Sequence, residues 1–197
     1  MGFHCRLHLL LLVLLHAILL LSNQVKSQGE NANLLQGLNA YRASVSLGAL
    51  TEKSNADCFA SEIASQFRSQ PCSNTTGADT VPGTEPQFSN YPELLSKCHL
   101  NITDTRDGTI MPVCVPNLVP SLVLTNYTET QYTQYLNESS FTGAGIGSNG
   151  NWMVVVLSTN TVGGNFAPAD NSKANLFSNI GLAQNLFPLL LGFILYL

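Results

Sequence analysis

The chain carries an almost unbroken apolar run at each end, and neither run is long enough to cross a bilayer. Residues 9–21 form the first run, of 13 residues, and residues 186–197 form the second, of 12 residues, which reaches the last position. A transmembrane helix needs about 20 apolar residues. We therefore expect both runs to be processing signals, so that only the residues between them fold.

The N-terminal run has the surroundings of a cleavable signal peptide. Arg6 precedes it, and Val25-Lys26-Ser27 follows it, with a small residue at the cleavage position and an aliphatic residue two before. This arrangement is typical of secretory precursors. We predict that residues 1–27 are removed after Ser27. The alternative is an uncleaved N-terminal anchor, for which the run is short.

The C-terminal run has the surroundings of a GPI-attachment signal. Such a signal combines small residues at the attachment site, a polar spacer of about 8–12 residues and an apolar tail of about 10–20. Ser172 has a spacer of 11 residues, 175–185, before the tail. We predict attachment at Ser172, with Asp170 and Asn171 as alternatives, and removal of 173–197. The product would be a lipoprotein on the extracellular face of the plasma membrane.

The segment that remains, 28–172, is acidic. It holds all 12 acidic residues of the chain but only 5 of its 8 basic ones, which gives a formal charge of about −7. Such a surface repels polyanions and argues against nucleic acid or anionic lipid as the main partner. Its 145 residues suffice for one domain. We assign 28–162 to that extracellular domain and 163–172 to a short stalk.

Four cysteines remain in the mature segment: Cys58, Cys72, Cys98 and Cys114. An even number in a small secreted domain predicts disulfides, here two, and three pairings are possible. Pairing of sequence neighbours is disfavoured, because the chain would have to reverse along the whole helix that follows Cys58. A metal site is not expected, since the spacings are wide and no Cys-x-x-Cys occurs.

The same segment contains four N-glycosylation sequons. They begin at Asn74, Asn101, Asn126 and Asn137. A sequon that carries sugar must lie at the surface. We expect at least two of the four to be used, which would make the product a glycoprotein.

Two helical patterns open the mature segment. Apolar side chains recur at three and four positions: Leu34, Leu35, Leu38, Tyr41 and Val45 in the first pattern, then Phe59, Ile63 and Phe67 in the second. Gly48 ends the first helix, and Thr51 is expected to cap the second. Residues 69–90 are rich in Ser, Thr, Pro and Gly and predict a loop, which a disulfide at Cys72 would hold.

Shorter elements follow. Pro92 is expected to lie in the first turn of a third helix. Residues 110–115 have an extended pattern, which Pro112 and Pro116 confine to a sheet edge or to an irregular path. Residues 128–131 match a capping box and predict a helix that runs to about Leu136, with Tyr132 and Tyr135 among its inward residues.

The clearest local signal is a β-hairpin. Two strand-like runs, 141–146 and 152–158, flank Asn149-Gly150, and Asn-Gly is the strongest short hairpin cue. Residues 153–157 are continuously apolar, which indicates a central strand. Helices, a loop and then a hairpin predict an α+β fold.

Specific residues resemble the CAP superfamily, the pathogenesis-related-1 and SCP group. Leu-Asn-Ala-Tyr-Arg-Ala at 38–43 and Leu-Gly-Ala-Leu at 47–50 are similar to the opening of these domains. Residues 135–147 resemble the stretch in which a CAP helix leads into a glycine-containing strand. The resemblance implies a CAP-like sandwich of helices on a small, mainly antiparallel central sheet. Nearly the whole chain also resembles a plant family of uncharacterised GPI-anchored proteins, above all over 112–159.

The departures from the CAP pattern concern its cleft, in which two histidines and two acids can hold a divalent metal. Leu38 stands where the first histidine would be. The helix that should supply the second carries Thr130, Gln131 and Thr133, and the mature segment has one histidine, His99. The fold is therefore expected without a metal, without a cofactor and without a catalytic residue in the cleft.

The sequence gives weak support for a catalytic histidine, an acid–base pair or a phosphate-binding site. His99 lies beside a predicted disulfide and is expected to face solvent. Asp104 and Asp107 could form an acid–base pair, but they occur in a charged turn. The glycines at 143, 145 and 147 lack the strand–loop–helix context of a phosphate site, so we interpret them as positions of close helix packing.

We therefore expect no enzyme. The favoured function is a non-catalytic cell-surface module that binds a peptide, a wall glycan or a receptor ectodomain in the apoplast. The alternative is a lipid- or sterol-binding CAP-like protein, which an exposed apolar patch beside 112–123 would favour. A degenerate hydrolase comes third.

Overall fold

A computed structural model of the chain describes residues 13–14, 29–72 and 89–169. The predicted signal peptide apart from 13–14, the GPI signal with Ser172, Asp170 and Asn171, and the sequon at Asn74 lie outside these residues. Within the described ranges, no helix has the length and apolar composition that crossing a bilayer demands.

One four-stranded sheet forms the centre of the domain. Its strands are β1 (Thr51–Glu52), β2 (Thr109–Cys114), β3 (Phe141–Asn149) and β4 (Trp152–Thr159), and their order is β1-β3-β4-β2. β4 is antiparallel to both of its neighbours, and only β1 lies parallel to β3. The predicted α+β architecture with a mainly antiparallel sheet is confirmed.

Helices cover both faces of the sheet. On the α2–α3 side lie α2 (Ser54–Phe67) and α3 (Tyr91–Lys97), which share one apolar core. On the α1–α4 side lie α1 (29–44), α4 (Pro120–Thr128) and α5 (Thr133–Leu136), which share a second core. The sheet thus separates two independently packed layers.

The predicted hairpin is confirmed. β3 and β4 pair in one register from Gly143 to the turn, and the register shifts between Phe141 and Gly143. In the turn, Gly150 has a φ of +62° that glycine adopts without strain. Every residue of β4 is buried. Val154 and Val156 belong to the core of the α2–α3 side, whereas Met153 and Val155 belong to the other core. A central strand needs a continuous apolar run because both of its faces are covered.

Helix α2 lies directly on the glycines of β3. A Cβ atom on Gly145 would overlap the backbone of Ala56, and one on Gly147 would overlap the backbone of Ser61. The interpretation of these glycines as positions of close packing is confirmed. The predicted inward face of α2 is also confirmed, since Phe59 and Ile63 are fully buried.

The start of α2 differs from the prediction. Thr51 does not cap the helix but lies in β1, opposite Gly143 of β3. The helix begins at Ser54, and the backbone N–H of Lys53 donates to the carbonyl of Ala144 at 2.9 Å. Pairing with a distant strand therefore takes Thr51 out of the helical turn.

Two disulfides join elements of the α2–α3 side. Cys58 pairs with Cys98, and Cys72 pairs with Cys114. Sequence neighbours do not pair, as expected. The second disulfide attaches the start of the predicted 69–90 loop to the end of β2, as proposed; residues 73–88 of that loop lie outside the described residues.

The region before the hairpin contains a helix that the sequence analysis missed. Residues 128–131 do not form a capping box, because Thr128 is the last residue of α4 and its Oγ1 donates to the carbonyl of Leu124 at 3.0 Å. Pro120 starts α4 in the first turn, a position that proline tolerates.

The helix at Pro92 and the edge strand with Pro112 are confirmed. Tyr132 and Leu136 are buried as predicted, and Tyr135 is half-buried.

The predicted stalk begins too early. Phe166 is buried, its ring lies 6.4 Å from that of Phe59, and its N–H donates to the carbonyl of Asp104 at 3.1 Å. The compact unit that contains the sheet ends at Ala167. Residues 163–167 therefore belong to the domain rather than to a stalk. A second unit, Pro168–Leu197, is described only at 168–169.

Candidate functional site

A groove of about 230 Å³ opens on the α1–α4 side. Met153 of β4 lines it together with residues of α1, of α4 and of the 3₁₀ turn Pro116–Leu118. Most of its lining is apolar, and the lining residues are Glu30, Asn33, Leu34, Leu118, Pro120, Ser121, Val123, Leu124 and Met153.

The turn beside the groove has an unusual backbone. Asn117 and Leu118 have φ values of 58° and 46°, in the left-handed region that a bulky side chain rarely adopts. Two hydrogen bonds hold it, from the Asn117 N–H to Asn151 Oδ1 at 3.1 Å and from the Leu118 N–H to the Val115 carbonyl at 3.0 Å. Backbone strain of this kind persists only where the surroundings fix it, and it concentrates at binding sites.

An exposed apolar pair lies next to the groove. Val119 precedes α4 and is 40% exposed, and Leu122 on the outer surface of α4 is 52% exposed. Neither residue lines the groove. Within 112–123, beside which the sequence analysis looked for an apolar patch, the structure thus exposes two large apolar side chains.

Charge is unevenly distributed between the two sides. The segments that build the α1–α4 side, 29–50 and 115–140, contain three acidic residues, Glu30, Glu129 and Glu138, and one basic residue, Arg42. Arg42 is only 1% exposed. The other basic residues of the described domain, Lys53, Arg68, Lys97 and Arg106, lie between these segments, in or near α2 and α3. Among the residues that line the groove, the charged one is Glu30.

The buried guanidinium of Arg42 binds four backbone carbonyls. Nε donates to Gly48 at 2.8 Å, Nη1 to Leu136 at 2.7 Å and to Glu138 at 3.1 Å, and Nη2 to Phe141 at 3.0 Å. Burial lowers the pKa of Arg42. The side chain joins the end of α1, the end of α5 and the start of β3, so its role is architectural.

The remaining residues of the CAP-like motif are also architectural. The side-chain amide of Asn39 donates to the Leu50 carbonyl at 3.0 Å and accepts from the Leu50 N–H at 2.7 Å. Leu38 is fully buried in the core of the α1–α4 side. The segment 38–43 thus fixes the path from α1 to β1, and the structure gives it no reactive group.

The residues considered for catalysis do not converge. His99 is exposed and follows Cys98 with a φ of 55°. Asp104 accepts from Thr103 Oγ1 at 3.1 Å, and Asp107 accepts from Thr161 Oγ1 at 2.5 Å, so both acids stabilise their turns. In the parts of the chain that are described, no three His, Cys, Asp or Glu side chains are grouped as metal ligands. The absence of a metal, a cofactor and catalysis stays a prediction.

The three described sequons differ in accessibility. Asn101 and Asn137 are exposed, and Asn137 Oδ1 accepts from the Tyr41 hydroxyl at 3.0 Å. Asn126 lies within α4, is half-buried, and donates through Nδ2 to the Leu122 carbonyl at 2.8 Å. The surface position expected for a used sequon is therefore met best at Asn101 and Asn137.

Sequence reasoning missed one titratable group. Asp57 of α2 is half-buried between α2 and β3, and its Oδ1 accepts from the Ile146 N–H at 2.7 Å. Desolvation raises the pKa of Asp57 to about 6; the hydrogen bond from Ile146 opposes this rise, and the neighbouring charge of Glu52 adds to it. Its position in the first turn of a helix gave no hint of this environment.

Sequence comparisons give one family. The family model described as "Uncharacterized GPI-anchored protein At5g19230-like domain" matches residues 31–157. A relative in Arabidopsis thaliana, the "Uncharacterized GPI-anchored protein At3g06035", is 52% identical over 180 residues, which cover 89% of this chain and 90% of that protein.

Structural comparisons give the fold. An extracellular SCP-domain protein from Bacillus anthracis superposes with a TM-score of 0.52 at 13% identity, over 66% of this chain and 40% of that protein. A cysteine-rich secretory protein from Staphylococcus aureus gives a TM-score of 0.47 at 14% identity, over 66% of this chain and 38% of that protein. The first likeness confirms the CAP-like fold, and this chain spans two fifths of that protein's length.

Proposed function

Because this chain belongs to the family of uncharacterised GPI-anchored At5g19230-like proteins, we propose that it is a non-catalytic binding protein, held on the extracellular face of the plasma membrane by a GPI lipid. Two independent features support the anchor. The relative that is 52% identical over 90% of its length carries "GPI-anchored" in its name. The apolar tail and the spacer before it have the lengths that a GPI signal needs.

Phospholipase release tests the anchor. Treating intact cells that express the chain with phosphatidylinositol-specific phospholipase C should transfer the protein to the medium. A triple substitution of the possible attachment residues, Asp170→Leu, Asn171→Leu and Ser172→Leu, should abolish surface display. Retention on cells from which a known GPI-anchored reporter is released would refute the anchor.

One observation carries the binding function: the groove between α1 and α4. Complete pockets for small ligands measure about 300–1,000 Å³. At about 230 Å³ the groove is smaller, so it fits one or two apolar side chains better than a whole sterol. Its apolar lining also disfavours a glycan, whose hydroxyl groups would lose water without gaining hydrogen-bond partners. A polypeptide ligand fits best among the three favoured partner classes.

A lipid or sterol ligand is the second candidate, and the exposed pair Val119 and Leu122 favours it. The two candidates use different residues. A fluorescent sterol that binds through the exposed pair should lose affinity in Leu122→Lys but not in the groove variant Leu124→Gln. A polypeptide in the groove should show the reverse pattern. Equal binding by both variants and the wild type would refute both sites.

A further inference from the structure

We propose that the exposed apolar pair at α4, Val119 and Leu122, is covered by an N-linked glycan on Asn126, whose first N-acetylglucosamine lies against Leu122. The inference goes beyond the proposed function, because it concerns a surface outside the groove. Three observations carry it: the spacing of these residues along α4, the hydrogen bond that orients the Asn126 amide, and the charge of the helix.

Asn126 lies on the same face of α4 as the apolar pair. It follows Leu122 by four residues and Val119 by seven, and residues at these spacings share one face of a helix. Within 29–72 and 89–169 the structure exposes five large apolar side chains, and three of them lie within seven residues of a sequon asparagine: Ile102, Val119 and Leu122. Exposed apolar surface and sequons therefore occur together in this domain.

The side-chain amide of Asn126 is directed toward Leu122. Helical side chains lean toward the N-terminal end of their helix, and Asn126 Nδ2 donates to the Leu122 carbonyl at 2.8 Å in a hydrogen bond that is exposed to solvent. An amide nitrogen has two hydrogens, so a sugar can replace one while the other still donates. The first N-acetylglucosamine then begins over the turn that carries Leu122, with its C–H face and acetyl methyl group against that side chain.

The charge of α4 disfavours a membrane as the occupant of this surface. Helices that lie in a membrane interface carry lysines and arginines on their polar face. Pro120–Thr128 contains neither, and the next residue is the exposed Glu129. A tethered sugar needs no such charge. Because sugar and helix belong to one molecule, their contact avoids the entropy cost of association, and burial of apolar surface on both favours it.

The sugar must be attached before α4 packs. In the folded domain Tyr127, the middle residue of the sequon, is fully buried, and the Thr128 hydroxyl donates to the Leu124 carbonyl at 3.0 Å. A transferase therefore reaches this sequon only in the unfolded chain. In the transfer, Asn126 Nδ2 forms a bond to C1 of a sugar on a lipid-linked diphosphate donor. The bond between C1 and the phosphate oxygen breaks, the lipid diphosphate leaves, and Nδ2 gives up one proton.

Glycopeptide mass spectrometry and hydroxyl-radical footprinting test the inference on the full chain, expressed in a eukaryotic secretory host. Asn126 should carry sugar in most of the secreted protein. Radical modification of Leu122 should be at least threefold lower in the glycosylated protein than after the folded protein is treated with peptide-N-glycosidase. Val162, which is 81% exposed and has no sequon between 141 and 169, is the internal control and should be modified equally in both.

Matched variants assign the protection to this sugar. Thr128→Ala removes the sequon and keeps Asn126, so it should expose Leu122, whereas Thr128→Ser keeps the sequon and should keep the protection. Asn101→Gln removes a different sequon and should leave Leu122 protected. Thermal melts verify that each variant is folded, and the enzymatically deglycosylated wild type decides if Thr128→Ala does not fold.

An unoccupied Asn126 in the secreted protein would overturn the inference, and so would equal modification of Leu122 with and without the sugar. Protection of Leu122 that survives deglycosylation and disappears when a cyclodextrin extracts sterols would also overturn it, and would assign the apolar pair to the sterol candidate.

Discussion

The two sides of the sheet are held together by different means. On the α2–α3 side, α2 lies on the glycines of β3, and both disulfides, Cys58–Cys98 and Cys72–Cys114, join elements of this side. The core of the α1–α4 side contains no cysteine, and buried polar groups secure it. Arg42 binds four carbonyls there, and the Tyr127 hydroxyl donates to the carbonyls of Met111 and Met153.

This difference has a functional consequence. The groove opens on the side that the two disulfides do not crosslink. Hydrogen bonds from Arg42 and Tyr127 fix the framework of the α1–α4 side, and residues of α1 and α4 line the groove. Disulfides persist in oxidising compartments, so the crosslinked side agrees with the extracellular location proposed above.

The strongest test of the comparison is Gly145→Ala, which should prevent folding. Its Cβ would overlap the backbone of α2, which no rotamer change can relieve. We expect a loss of about 3 kcal/mol or more, at the top of the range for overpacking, and therefore little secreted protein. Gly48→Ala is the matched control, because its Cβ would meet nothing within 4 Å. Normal secretion of Gly145→Ala would show that α2 does not need this contact.

Removal of a disulfide should have the next largest effect. The double variant Cys58→Ala with Cys98→Ala opens a loop with a sequence separation of 40 residues, for which chain entropy predicts about 4 kcal/mol. Cys72→Ala with Cys114→Ala, with a separation of 42, should cost a similar amount. Urea unfolding measures both. Free thiols in the folded wild type, or a loss below about 1 kcal/mol in both variants, would contradict a crosslinked α2–α3 side.

Arg42→Met tests the other side. The substitution keeps much of the side-chain volume but leaves four carbonyls without their donor, and hydrogen bonds to charged groups contribute about 1.5–3 kcal/mol each. Loss of the buried charge offsets part of this, so we expect a net destabilisation of about 3 kcal/mol in urea unfolding. Tyr41→Phe, which removes one exposed hydrogen bond to Asn137, is the control. Equal stability of the two variants would refute the role of Arg42.

The smallest effect should be a pH dependence that originates at Asp57. Its pKa in the folded protein is about 6, above the ordinary value of 3.8, so the folded state takes up a proton at a pH where the unfolded chain does not. The melting temperature should therefore gain a contribution as the pH falls from 7 through 6, and this contribution should level off below about 4.

Asp57→Asn isolates this contribution. The amide cannot ionise but can still accept from the Ile146 N–H, so the variant should be more stable than the wild type at pH 7 and should lose this part of the pH slope. Glu93→Gln on α3 should keep the wild-type slope. An unchanged slope in Asp57→Asn would show that the carboxyl group is not responsible.

Local sequence signals predicted several elements well. Asn149-Gly150 located the hairpin, and the spacing of Phe59, Ile63 and Phe67 gave the buried face of α2. Such signals depend on residues a few positions apart, which the chain places together wherever the element forms. The same reasoning failed at Thr51, because a parallel pairing with Gly143 outweighed its local preference for a helix cap.

What the sequence by itself determined was the lengths of the two apolar end runs, the cysteine count, the acidic charge and the apolar character of both faces of the central strand, since these follow from composition and short-range pattern. Only the tertiary structure decided which cysteines pair, that Arg42 is buried, that Asp57 meets Ile146, and that a groove lies between α1 and α4. The partners of Arg42 and Asp57 lie as far as 99 and 89 residues away along the chain. Interactions across such distances depend on how whole elements pack, and no short stretch of sequence specifies that.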